Sequence, residues 1–339
     1  MATSAGSKDP HGRDATRPTQ LPAKAWREIL GRVWVKTGTD NISLLAAGVA
    51  FYGFLSIVPL LGAFVMTYGL IADPSTMADH MHKIIGLVPK DAAKLIYDQL
   101  VSLATTASSK KGLGLLIALL IAIYGATRAS GAIMTALNVV YEQPERRNIF
   151  KTTAISFAMI VATLLVGVVG ILAASVLALV GKFLNVLGPA AAFGINAATW
   201  IVAAVLASCA IGATYRFGPD RHDAKWQWLT FGSALATVLW LLATVGFGAY
   251  AASFGNYNAT YGSLGAVVVL LMWLFVSAYA ILLGAEINAE TERQTARDTT
   301  TGPERPIGKR GATVADQVAG QPGTEPSQEK SVDALRNAG

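Results

Sequence analysis

Charge is scarce in this chain. Asp, Glu, Lys and Arg make up 14% of its 339 residues, against about 25% in a soluble domain. From Trp226 to Ala285 sixty consecutive residues contain none of the four, and no His. A charge at the centre of a spanning helix costs about 2.5–3.5 kcal/mol on insertion scales, so a bilayer accounts for this gap and a soluble core does not. Cysteine occurs once, at Cys209, which excludes an intramolecular disulfide and a thiolate metal cluster. No glycine-rich phosphate loop ending in Lys-Ser or Lys-Thr is present, and no Ser–His–Asp or paired-carboxylate set falls within the ordered segments of one compartment. His80 and His82 stand two apart, on different faces of any helix, and make no metal site. The sequence therefore predicts no enzyme, no cofactor and no bound metal. Residues 1–20 lack an apolar stretch ahead of a small-residue cleavage site, so no cleavable signal peptide is expected and the first span does the targeting.

What is abundant is apolar residue, 53% of the chain, with a mean hydropathy of +0.46. A span takes about 20 residues, and six segments offer one: 41–72, 112–141, 152–181, 189–215, 226–253 and 262–287. The expected fold is all-α, a polytopic membrane protein with six transmembrane helices. Short amphipathic helices are expected at both faces, at 22–36 and across 73–111. Residues 1–20 and 292–339, poor in large apolar side chains, read as disordered tails around a membrane domain at 21–291. Asn258-Ala-Thr260 matches a glycosylation sequon, but it falls in a tight membrane turn and is discounted. In the 22–36 helix Trp26, Ile29, Leu30 and Val33 share one face. That face suits either an anionic leaflet or packing against the bundle.

Positive charge orients the set. With both termini cytoplasmic, the short inner loops 142–151 and 216–225 hold six Lys+Arg, and the short outer loops 182–188 and 254–261 hold one. The location predicted is a cytoplasmic membrane crossed several times.

Within the spans, ionisable residues are functional candidates. The second span is uncharged for only 16 residues, Gly112 to Thr127, so it must carry Arg128 inside it. Tyr124, Arg128, Thr135, Asn138 and Glu142 recur at helical steps and predict a polar stripe facing the bundle interior. Glu286, on the sixth span, belongs to the same half of the membrane and is placed to meet Arg128. A polar cavity, a structural ion pair, and snorkelling of Arg128 to the headgroups are all consistent with this spacing. Pro59 predicts a kink in the first span. Trp240 and Trp273 sit mid-span, away from the interfacial belt, and their indole N–H groups need partners. Membrane lipids are the expected partners. Small-residue pairs, Gly170 with Ala174 and Gly248 with Ala252, suit close helix contacts within the chain or in a homo-oligomer. The basic residues are split among tails and loops and form no nucleic-acid groove.

Several segments taken together resemble one family. Ala47-Gly-Val-Ala-Phe-Tyr-Gly-Phe-Leu-Ser-Ile-Val-Pro59 opens the first span, and Leu137-Asn-Val-Val-Tyr141 with Pro144-Glu-Arg146 closes the second. Tyr215-Arg-Phe-Gly-Pro219 precedes the fifth, which carries Gly232 and Trp240. Tyr261-Gly-Ser-Leu-Gly265, Trp273 and Gly284-Ala-Glu-Ile-Asn288 mark the sixth. In order and spacing they resemble the YihY/BrkB family of bacterial inner-membrane proteins, over roughly residues 25–291. The resemblance implies a six-helix bacterial membrane protein with a role in envelope integrity, virulence or transport. It also brings a ribonuclease BN label, to which these residues give no support. On this reading the chain is a transporter or lipid translocator supporting the envelope, or else a non-catalytic scaffold or lipid-binding protein.

Overall fold

The computed structural model describes residues 9–68, 111–184, 189–253 and 263–320. Residues 73–110 of the predicted segment 73–111, with His80 and His82, and the turn holding Asn258 lie outside them. A 3-10 turn at Pro18–Gln20 precedes α1 (Ala23–Thr39), α2 (Ile42–Tyr68), α3 (Lys111–Val140), α4 (Ile149–Leu184), α5 (Pro189–Phe217), α6 (Trp226–Ser253), α7 (Ser263–Gln294) and a short α8 (Thr313–Asp316). The class is all-helical, as expected, and a long helix occupies each of the six predicted intervals. By length and composition of the described residues, four helices (α4 to α7) are apolar enough to cross a membrane. A fifth arises if the bent pair α1–α2 is one span. Helix α2 runs through Pro59 as continuous helix.

Local chemistry ends these helices where charge and glycine appear. Between α1 and α2 the chain turns by 61° at Asn41, whose φ of 52° lies in the left-handed region that Asn tolerates. Past α3, Glu142 also takes φ 52°, a strained value for Glu that its ion pairs hold in place. Helix α5 stops at Gly218-Pro219. A Cβ on Gly218 would stand 2.6 Å from the Thr214 carbonyl oxygen, so only glycine fits that close turn.

Helix α7 is the hub, packing on α6, α2, α1 and α3. Around it α2 lies on α3, α3 on α4, α4 on α5, and α5 on α6. The buried core gathers toward the C-terminal end of α7 and includes Ile42, Leu137, Tyr141, Tyr215, Leu229 and Leu282. Helices α4 and α5 instead turn most of their apolar surface outward, with Phe157, Leu165, Val168, Trp200 and Ile201 exposed. Apolar patches this large mark contact with lipid or partners.

Two expectations about the ends are corrected. Of the expected disordered tails 1–20 and 292–339, the described residues 9–20 and 292–320 are packed against the helices. Ala15 and Leu21 bury with Ile29, Val33 and Ile287. The Thr295 hydroxyl donates to the Ala15 carbonyl at 2.6 Å, and the Ala296 N–H donates to the Arg13 carbonyl at 2.8 Å. Arg310 is buried and donates to the carbonyls of Ala315 and Ala296 at 2.6 Å each. These segments need no core of their own, because they fold onto one that α1 and α7 already supply. Of the two roles expected for α1, the structure describes the packing against the bundle. Ala25, Ile29 and Val33 are buried, with Ile29 and Val33 set against the bundle through Ile287 of α7, while Leu30 and Trp34 are exposed.

Candidate functional site

Helix α7 does not stop at the predicted edge of the bilayer. It continues to Gln294, and its last turns carry Glu286, Glu290, Glu292 and Arg293, all buried. Buried charges must be paired or pay for desolvation, and here most are paired. Arg221 meets Glu292 through two bonds of 3.1 and 2.6 Å, with side chains 1% and 0% exposed. Its guanidinium lies 4.8 Å from the Tyr141 ring centre, and Thr299 donates to Glu292 at 2.9 Å. Arg32 of α1 donates to Glu290 at 2.5 Å and to Gln294 at 2.6 Å. Arg293 joins Glu290 at 2.8 Å and Glu142 at 2.9 Å, and Lys36 pairs with Glu142. Burial pushes the Glu142 carboxyl up, but Arg293 and Lys36 outweigh it and hold the carboxyl below its ordinary value. Glu286 is the exception. Neither of its oxygens has a hydrogen-bond partner, nor has one Asp40 oxygen, and all three atoms are buried.

The predicted pairing of Arg128 with Glu286 is not formed. Glu286 faces the α1–α2 bend, where Asp40 and Lys36 are its charged neighbours with Glu290 and Arg293. Arg128 is exposed, and its guanidinium lies 5.1 Å from the Tyr124 ring centre. The predicted stripe is therefore split. Tyr124, Arg128 and Thr135 look outward, and the Thr135 hydroxyl returns to its own helix at Gly131. A guanidinium resting on an aromatic face gains electrostatic attraction without needing the bundle interior. Arg128→Ala should leave thermal stability within about 0.5 kcal/mol of the parent, as exposed substitutions do, and leave the accumulated amount unchanged on a membrane-fraction blot.

Asn138 and Glu142, the inner half of the stripe, do face in. Asn138 clamps two loops: its amide donates to Glu145 at 2.8 Å, and its carbonyl accepts the Asp220 N–H at 2.7 Å. Arg147 donates to both Glu145 oxygens at 2.7 and 2.6 Å and to the Gly218 carbonyl at 2.9 Å. The Arg147 bonds bring the Glu145 carboxyl from an ordinary 4.5 to about 2. A depressed carboxylate contributes stability that is present above its ordinary value and lost as pH falls toward the folded one. The loss should fall between about pH 4.5 and 2 and be small, because Glu145 is 35% exposed and screened by solvent. Thermal unfolding scanned over that window should show a shallower pH dependence in Glu145→Gln.

The tryptophans divide as well. The Trp240 indole donates to the Ser277 hydroxyl at 3.0 Å, joining α6 to α7. The Trp273 indole nitrogen is buried without a partner.

Two voids adjoin this framework. A groove of about 550 Å³ runs between α4 and α5. Its floor is apolar, with Ile155, Met159, Ala162 and Val166 on one side and Ala210 and Ala213 on the other. Its mouth carries Arg147, Lys151, Arg216 and Arg221 together with Asp220 and Asp223. A second cavity of about 330 Å³ lies among α2, α3, α4, α5 and α7, with Ser56, Ser130 and Ser277 in its wall. Met159, Thr163 and Thr214 line both voids and form the partition between them. Both threonine hydroxyls are turned back onto their own helices, to Met159 and Ala210 carbonyls, so the partition presents methyl groups and a flexible thioether. The sequence reading missed the groove. Its only linear signs are the small residues of α5 and the bases just beyond each helix end.

Among the described residues no three His, Cys, Asp or Glu side chains are grouped to hold a metal ion. The groove and cavity can hold an amphiphile; the ionic network can hold α1, α7 and the two loops in register.

Comparison with known proteins gives matches over most of the chain. The model of the family described as virulence factor BrkB matches residues 33–308. YfkH of Bacillus subtilis (strain 168), named a ribonuclease-like protein, is 28% identical over 275 residues, covering 78% of this chain and 93% of its own. A UPF0761 membrane protein of Tolumonas auensis is 27% identical over 276 residues, 80% of this chain and 85% of its own. One of Cronobacter sakazakii is 26% identical over 273 residues, 78% and 88%. No solved structure matches.

Proposed function

The chain belongs to the virulence factor BrkB family of membrane proteins, and on that premise we propose that it is a translocator of lipids or other amphiphilic solutes in the bacterial cytoplasmic membrane. The observation that carries this reading is the shared wall of Met159, Thr163 and Thr214. The groove and a second pocket, both open to the surface, meet at three shared side chains. Methionine has three rotatable bonds and repacks at low cost, so this wall is the natural place for a path to open. The mouth with its bases lies on the cytoplasmic side, and both termini are cytoplasmic, because the short loops there carry the positive charge. A reporter active only outside that membrane should work when fused after Leu103 and fail after Pro219.

The protein acts without catalysis on this reading. Glu290, Glu292 and Arg293 of α7 are engaged in holding helices and the ordered termini together, which is structural employment. The ribonuclease-like name belongs to YfkH. Purified protein should cleave no RNA with or without divalent metal.

Reconstitution into liposomes tests the reading. Labelled lipids or small amphiphiles should exchange between leaflets or across the membrane faster with the protein than without it. Filling the partition with Thr163→Phe should remove the acceleration. The second reading, a scaffold that moves nothing, draws on the ordered cap made by residues 9–21, α1 and 292–320. Folded protein that moves no lipid or solute while retaining bound lipid would favour it.

A further inference from the structure

We infer that the mouth of the α4–α5 groove is a binding site for one anionic phospholipid, its phosphate held by Lys151 and Arg216 and its acyl chains laid along the groove floor. The inference deepens the translocator reading by naming the class of amphiphile, but binding is measured without transport, so each can fail alone.

The depth fits a lipid. From Lys151 to Val166 helix α4 rises about 22 Å at 1.5 Å per residue. One leaflet of hydrocarbon is about 15 Å, half of a 30 Å core. The floor is thus long enough to run from headgroup level through one leaflet. The level of the mouth is marked independently by aromatic side chains. Phe150, Phe217 and Trp226 are exposed around it, as interfacial anchors are.

The charge fits an anion. Of the four bases, Arg147 is bound to Glu145 and stands 3.7 Å from Asp220, and Arg221 is closed against Glu292. Lys151 is exposed and, among the described residues, has no carboxylate within salt-bridge distance. Arg216 donates to the Ala224 carbonyl at 2.7 Å and reaches Asp223 at 3.3 Å. Its Nε is buried with no partner. The guanidinium stands 5.0 Å from the Trp226 ring centre and 5.5 Å from that of Phe217, which fixes its plane at the mouth. The Asp220 carboxylate is already engaged by the Arg146 N–H at 2.8 Å. Glu145 and Glu292 offset Arg147 and Arg221, and Asp223 stands beside Arg216, so the positive charge left for a ligand at the mouth is that of Lys151, with Arg216 beside it. A basic pocket between helices at headgroup level binds anionic lipid, and a guanidinium is matched to a phosphate oxygen. A soluble anion would use the same two bases but would leave the apolar floor facing lipid or detergent.

Native mass spectrometry of the full chain decides the matter. The protein, purified in detergent, is titrated with phosphatidylglycerol, with phosphatidylcholine of the same acyl chains, and with inorganic phosphate. One phosphatidylglycerol should be retained about tenfold over phosphatidylcholine. Lys151→Gln with Arg216→Gln should abolish the preference. Lys151→Gln alone, which breaks no side-chain hydrogen bond or ion pair among the described residues and so decides the case if the double variant does not fold, should reduce it severalfold. Arg128→Gln, on another face, should leave it intact. Equal retention of the two lipids, or an undiminished preference in Lys151→Gln, would overturn the inference. Displacement of phosphatidylglycerol by inorganic phosphate at equal concentration would also overturn it, and assign the bases to a soluble anion.

Discussion

Arg221→Ala should destabilise the protein by about 3–5 kcal/mol, the cost of leaving one member of a buried ion pair without its partner. Glu292 would be left at 0% exposure with the Thr299 hydroxyl at 2.9 Å as its remaining side-chain partner among the described residues. The Tyr141 ring would lose the guanidinium 4.8 Å from its centre. The damage extends along the chain, because Glu292 joins α7 to the α5–α6 loop and to the segment that follows α7. Thermal unfolding of the purified protein in detergent measures the loss, and membrane abundance should fall with it. Arg221→Met combined with Glu292→Leu should recover most of the stability, since a buried pair replaced as a whole by apolar side chains leaves no orphan charge. An Arg221→Ala protein within about 1 kcal/mol of the parent would show that water reaches the pair and that the termini are not held by it.

The second large effect is expected at the crossing of α6 and α7. A Cβ on Gly232 would lie 2.2 Å from the Asn288 side-chain oxygen and 2.5 Å from the Gly284 carbonyl oxygen. A Cβ on Gly284 would lie 2.5 Å from that of Ala236 and 2.7 Å from the Tyr215 hydroxyl. Asn288 cannot simply swing aside. It accepts the Gly232 N–H at 2.8 Å and donates to the Leu229 carbonyl at 3.2 Å, both buried. The Tyr215 hydroxyl is likewise committed, to the Ile281 carbonyl at 2.5 Å. Gly232→Ala should therefore push the two helices apart. We expect a cost of about 3 kcal/mol, from overpacking and from buried polar groups left without partners. Gly248→Ala on the same helix meets nothing within 4 Å among the described residues. It should be neutral or raise stability by up to about 1 kcal/mol through helix propensity. Thermal unfolding of the two variants side by side separates them. Equal effects would mean that α6 and α7 do not approach as closely as described.

That contrast also shows how far one-dimensional reading reaches. Gly170 with Ala174 and Gly248 with Ala252 have the spacing of a close helix contact. Yet a Cβ on Gly248 would meet nothing within 4 Å among the described residues, and one on Gly170 would make only ordinary contact with Leu206 at 3.8 Å. The close crossing occurs at Gly232 and Gly284, which no short spacing links, because they lie on different helices. Arg128 and Glu286 follow the same logic in reverse. Both are ionisable residues in apolar runs, and helical arithmetic puts them in one half of the membrane. Rotation of α3 about its axis is what separates them, and periodicity within a helix says which residues share a face but not which way that face points. The ordered ends were illegible for another reason. Composition reports whether a segment can build its own core, not whether it can borrow one, and residues 292–320 borrow that of α1 and α7.

By itself, the sequence determined that this is an all-helical membrane protein. The charge-free runs leave the chain no other solvent, and inside a bilayer the backbone must satisfy its own hydrogen bonds, which a helix does locally. It also carried the family resemblance, because Gly284-Ala-Glu-Ile-Asn288 and its companions are local strings. Only the tertiary structure decided which face of each helix turns inward. It paired Arg221 with Glu292, left Glu286 unpartnered at the α1–α2 bend, and opened a groove between α4 and α5. Each of these depends on how one helix is rotated and set against another. That choice is made by contacts between residues far apart in the chain, and it leaves no period in the sequence to be read.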